Sequence, residues 1–143
     1  MLYLQDNAFE FLVENELIGA RRILDDDAVK NMREFIERYH ALVGRENPPE
    51  LLTLGRELYE RLNGPAGQLD QLRQKSPPPF TLEVSATAQP SEREALMLRL
   101  PFEILADADG FLANDALRRF CTFRRLRQPS AHLPPLEGYR LGL

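Results

Sequence analysis

The spacing of apolar residues from Val29 to Val43 is the strongest constraint on how this chain folds. Val29, Met32, Phe35, Ile36, Tyr39, Leu42 and Val43 recur three and four positions apart, which makes a single apolar stripe on a helix and nothing coherent on a strand. Asp25-Asp26-Asp27 upstream suits the free amides and positive end of a helix start, and Gly44 supplies a terminator. Leu51, Leu52, Leu54, Leu58, Tyr59 and Leu62 repeat the helical pattern between Pro48-Pro49 and Gly64. The connection between the two helices is short, so they are expected to lie as antiparallel neighbours. A third, shorter helix is expected from about Gly67 to Gln74, with Leu69 and Leu72 turned inward.

The period then changes. Pro77-Pro78-Pro79 makes a stiff corner, after which Phe80, Leu82, Val84 and Ala86 alternate with Thr81, Glu83, Ser85 and Thr87, a strand with one wet face. Phe9, Phe11 and Val13 show the same two-residue period near the front, and residues 1–5 extend that strand or pair with it. Residues 15–24 read as a polar interval. Ser91 and Glu94 form a capping box ahead of a short helix through Ala95, Leu96, Met97 and Leu98. Residues 118–127, with Phe120, Cys121, Phe123 and Leu126, are expected to form another strand, followed by a proline-containing loop from Gln128 to Glu137. Tyr139, Leu141 and Leu143 alternate as a strand just beginning, which leads us to expect a truncated domain. The expectation is one α+β (α/β) domain over residues 1–143, with helices packed on a small mixed sheet. Residues 1–76 supply a strand plus the helical part, and residues 77–143 the strand-rich part.

Composition narrows the function classes. With 43% hydrophobic and 28% charged residues the chain has the apolar content for a core, and it contains no apolar run long enough for a bilayer and no leader-like start, so a cytoplasmic location is expected. Sixteen of the 18 basic residues are arginine, Lys30 and Lys75 being the exceptions, a bias consistent with GC-rich bacterial coding. A net charge of −4 offers no general attraction to nucleic acid or an anionic membrane. Cys121 is the sole cysteine, which excludes an internal disulfide and a thiolate zinc cluster. Placed between Phe120 and Phe123, it reads as a small buried apolar group rather than a nucleophile. His40 falls late in the first helix, where it complements the negative helix end, and His132 lies in the expected loop. Consecutive carboxylates at Asp25-Asp26-Asp27 diverge, so helix capping accounts for them better than a metal does. The basic cluster Arg118, Arg119, Arg124, Arg125 and Arg127 reads as a solvated face or as contacts to acidic neighbours, with Phe120 and Phe123 in the core. No catalytic, cofactor-binding or metal-ligating residue is assigned from these patterns.

The densest set of local signals lies from Leu98 to Ala113: a proline-started turn at Pro101, an Asp/Gly turn at Asp107 to Gly110, and an apolar extended run at Phe111-Leu112-Ala113. Phe102 and Ile104 are the expected core anchors there. Leu100-Pro101-Phe102-Glu103-Ile104-Leu105, then Asp109-Gly110-Phe111-Leu112-Ala113 and the arginine-bearing run Arg118 to Leu126, resembles a CHAT domain, a caspase-like family in which the aromatic position is usually tryptophan. Leu54 to Leu62 resembles the helix, and Phe80 to Val84 the strand, that precede this motif in the family. The resemblance covers about residues 50–143. It implies that Tyr139 to Leu143 resembles the first strand of the caspase-like core, and that the His/Cys dyad comes later. Neither Cys121 nor His132 matches the dyad motifs. The implied role is a non-catalytic N-terminal structural or regulatory subdomain, whose partner is a downstream caspase-like core. The alternative is a stand-alone interaction or dimerisation module using an exposed edge strand, partnered by another protein or a second copy.

Overall fold

The computed structural model describes residues 1–46, 48–114 and 120–128. Two tight turns organise its front. Strands β1 (Leu2–Gln5) and β2 (Ala8–Val13) pair antiparallel around a two-residue turn in which Asp6 takes φ +54°. Glu14 and Asn15 both adopt positive φ, 52° and 67°, the handedness that matches strand twist in a two-residue hairpin, and lead into β3 (Glu16–Ile23). Residues 15–24 are therefore largely a strand and not a polar interval. Only Ile18 is fully buried along β3, and a register shift against β2 between Phe9 and Phe11 breaks the alternation that would have revealed it.

Helix α1 (Asp26–Leu42) starts where the acidic run predicts, with the Asp25 carboxylate accepting from the Ala28 N–H at 2.8 Å. Helices α2 (Pro49–Asn63) and α3 (Gln68–Lys75) follow; Gly64, at φ +65°, closes α2, and Leu69 and Leu72 point into the core. Strand β4 (Phe80–Ala86) carries the expected alternation, and α4 (Glu92–Arg99) has a complete Ser91/Glu94 capping box. After Pro101, Phe102–Ile104 form a 3-10 turn, and the two-residue strands β5 (Ala106–Asp107) and β6 (Gly110–Phe111) form a small hairpin. The extended run expected at Phe111 to Ala113 is short, because Leu112–Asn114 is again a 3-10 turn. Strand β7 (Phe120–Leu126) ends the described chain. Arg118, Arg119, His132, the 128–137 loop beyond Gln128 and the strand expected at 139–143 lie outside the described residues.

The architecture is α+β, with a mixed five-stranded sheet in the order β3-β2-β1-β4-β7. Pairing is antiparallel from β3 to β1 and parallel from β1 through β4 to β7. Leu2, Leu4, Phe11, Ile18, Leu82 and Val84 present one face of the sheet to a single core that also takes Phe35 and Ile36 of α1, Leu58 of α2, Leu72 of α3 and Met97 of α4. Among the described residues no helix is long and apolar enough to cross a membrane.

Candidate functional site: two unequal sheet edges

Among the described residues the sheet ends at β3 on one side and β7 on the other. Gln68, at the start of α3, is 2% exposed and donates through Nε2 to the carbonyls of Ile18 (2.9 Å) and Ala20 (2.8 Å) on β3. Its Oε1 accepts from Arg22 (3.1 Å), whose guanidinium also donates to the terminal α2 carbonyls of Arg61 (2.5 Å) and Leu62 (2.6 Å). These bonds satisfy carbonyls at the register shift, where β3 departs from its pairing with β2, and cap α2, so α3 is fastened to the irregular stretch of β3. The close approach requires glycine. Gly19 has φ +72°, and a Cβ there would lie 2.5 Å from the Gln68 amide nitrogen. A buried glutamine at this position gives no sequence signal, since its partners are backbone carbonyls some fifty residues away.

At β7 the outer edge has no strand partner among the described residues. The Arg127 N–H donates to the Ala86 carbonyl at 2.7 Å, so in this parallel ladder the backbone of odd-numbered β7 residues faces β4. The N–H and C=O groups of Phe120, Thr122, Arg124 and Leu126 consequently face away from it. Phe123 is 44% and Leu126 52% exposed, and Cys121 is exposed as well. This corrects two readings: Phe123 is not a core residue, and Cys121 is not a buried apolar group. An apolar residue in a strand is buried only if something covers its face, and β7 is the last strand in the order among the described residues. Phe120 alone keeps the expected packing, against Phe80 with ring centroids 5.5 Å apart.

The arginines of β7 bind acidic neighbours and carbonyls. Arg124 donates to Glu103 (2.5 Å) and to the carbonyls of Leu98 (2.7 Å) and Leu100 (2.6 Å), and lies over the Phe102 ring. Burial alone would raise the Glu103 pKa, but the Arg124 hydrogen bond and charge bring it below the ordinary carboxylate value. Arg125 approaches Glu83 at 3.7 Å, and Arg127 reaches Ser85 and the Leu4 carbonyl while stacking over Tyr3. Arg124 and Arg125 thus meet the acidic neighbours expected for the cluster.

The segment Leu100 to Leu105 is a packing centre. Phe102 and Leu105 are fully buried, and Ile104 is 8% exposed. Helix α2 crosses it so closely that a Cβ on Gly55 would stand 2.0 Å from the Ile104 carbonyl oxygen. Leu54 to Leu62, Leu100 to Leu105 and β7 therefore pack together as one unit. Elsewhere, Glu94 is 1% exposed and accepts from the N–H groups of Asp6, Thr87 and Ser91 and from the Thr87 hydroxyl. His40 sits in the last turn of α1 as expected. An apolar cleft of about 210 Å³ opens between α1, α2 and β3, with Arg22 and Arg61 at its rim. Among the described residues no three His, Cys, Asp or Glu side chains form a group able to hold a metal ion. Comparisons with protein-family models, curated proteins and solved structures returned no match.

Proposed function

We propose that this chain is the non-catalytic N-terminal structural or regulatory subdomain of a CHAT-type, caspase-like cysteine peptidase, with β7 as the edge on which the rest of the assembly is built. The observation that carries the reading is the β7 edge, which has no strand partner among the described residues and presents outward backbone groups together with exposed Phe123 and Leu126. An exposed strand edge of this kind templates the addition of a further strand. The mutual packing of the α2 helix, the Leu-Pro-Phe-Glu turn and the arginine-bearing strand also supports it, since the three stretches carrying the resemblance make one structural unit. The subdomain holds and positions; it does not cleave. Two measurements test this. The coding sequence after Leu143 is expected to encode a histidine and then a cysteine at the ends of successive strands, and residues 1–143 are expected to show no peptidase activity. Peptide cleavage abolished by Cys121→Ala would overturn the reading.

The exposed Phe123 and Leu126 favour a second reading, a self-standing interaction module that recruits a partner strand at β7.

A further inference from the structure

We propose that β7 pairs with the β7 of a second copy of this chain, antiparallel, about a two-fold axis through Phe123. The inference rests on the interaction-module reading and adds the occupant and its register. Only the even-numbered residues of β7 turn their backbone groups outward, because the Arg127 N–H commits the odd-numbered set to β4. An antiparallel partner must therefore place even residues opposite even residues for the outward groups to exchange hydrogen bonds. An axis through Phe123 does this: Phe120 faces Leu126 of the other copy, Thr122 faces Arg124, and Phe123 faces itself.

The same register suits the side chains. Phe120-Cys121-Thr122-Phe123-Arg124-Arg125-Leu126 carries its large apolar residues at its two ends and its centre, so their placement reads the same in both directions. Exposed Leu126 meets Phe120, exposed Phe123 meets its own copy, and each arginine meets Thr122 or Cys121 rather than another arginine. Shifting the axis to Arg124 would set two guanidinium groups face to face, and a parallel partner in register would align all of them. Arg124 and Arg125 also carry their own counter-charges, Glu103 and Glu83, into the interface. Phe123 falls at a non-hydrogen-bonded pair, where opposing Cα atoms approach to about 4.5 Å and aromatic side chains pack best. The product is a continuous sheet across both copies.

Sedimentation velocity over a wide concentration range tests the assembly, and cysteine cross-linking tests the register. The 143-residue chain is expected to form a concentration-dependent dimer. Phe123→Lys, at a position exposed in the monomer, is expected to raise the dimer dissociation constant by on the order of tenfold or more while leaving the circular dichroism spectrum unchanged. In this register the two Cys121 residues lie about 13 Å apart along the strands, too far for a disulfide. Oxidation of the native chain is then expected to give no cross-linked dimer, and the Cys121→Ser/Phe123→Cys variant is expected to cross-link readily. A chain that stays monomeric throughout overturns the inference. A dimer that is indifferent to Phe123→Lys, or that is cross-linked through Cys121, overturns the register while leaving an interaction module at some edge intact.

Discussion

Replacing Glu94 should show how much of the fold hangs on one buried carboxylate. Its oxygens accept from Thr87 N–H at 2.8 Å, Asp6 N–H at 3.0 Å, Ser91 N–H at 3.3 Å and the Thr87 hydroxyl at 3.0 Å. Those donors belong to the β1–β2 turn, the end of β4 and the start of α4, so a single side chain joins three segments. A hydrogen bond to a charged group contributes about 1.5–3 kcal/mol, and bonds sharing one acceptor do not add. Glu94→Ala should therefore cost about 4 kcal/mol, and Glu94→Gln, which keeps one acceptor, about 2 kcal/mol. At about 3 °C per kcal/mol for a domain of this size, the alanine variant should melt about 12 °C lower. The charge also sets a pH dependence. Burial alone would raise the Glu94 pKa, but the donated bonds from Thr87, Ser91 and Asp6 outweigh it and bring the pKa below the ordinary carboxylate value. The folded pKa is thus the lower one, so the stabilisation is fully present above the unfolded pKa and is lost as pH falls through the folded pKa. Urea unfolding followed by circular dichroism at pH 7 and at acid pH should show the wild-type chain losing its advantage over Glu94→Gln as pH drops. A Gln variant within about 0.5 kcal/mol of wild type at pH 7, or a gap that does not change with pH, would refute the account of this residue.

Three further outcomes follow from the packing. Gly55→Ala lies mid-helix, where alanine normally gains about 1 kcal/mol over glycine, yet the collision with the Ile104 carbonyl should reverse the sign and cost about 2–3 kcal/mol in thermal unfolding. Gln68→Leu keeps the volume but strands the Ile18 and Ala20 carbonyls and should cost about 2 kcal/mol in urea unfolding. Tyr59 has its phenol pKa pushed up to about 12 by burial and by the hydrogen bond to Asp70, with Arg73 opposing the shift. Ultraviolet titration should therefore show one tyrosine ionising about two pH units later than an ordinary one, and Tyr59→Phe should remove that late step.

Much of the scaffold was legible in local pattern. The stripe of α1, the alternation of β4, the Ser91/Glu94 box and the anchors Phe102 and Ile104 all follow from period and capping chemistry, because each depends on neighbours within a few residues. What escaped was set by topology. Strand β3 has one buried residue and a register shift, and its turn uses Glu14-Asn15 in place of a glycine-bearing pair, so neither period nor turn residues announce it. Cys121 and Phe123 sit in a run that matches a core strand, and only the strand order reveals that β7 is an edge among the described residues. Gln68 illustrates the same limit from the polar side: its burial makes sense only once α3 is seen against β3.

The account turns on the outer edge of β7, which has no strand partner among the described residues. Amide hydrogen exchange of the 143-residue chain, read residue by residue at concentrations low enough to keep it monomeric, tests this most directly. The N–H groups of Thr122, Arg124 and Leu126 should exchange rapidly, while those of Cys121, Phe123 and Arg125, bonded to β4, should be protected. Protection of all six at every concentration would mean that the outer edge of β7 is already paired within the monomer, and would contradict the central claim.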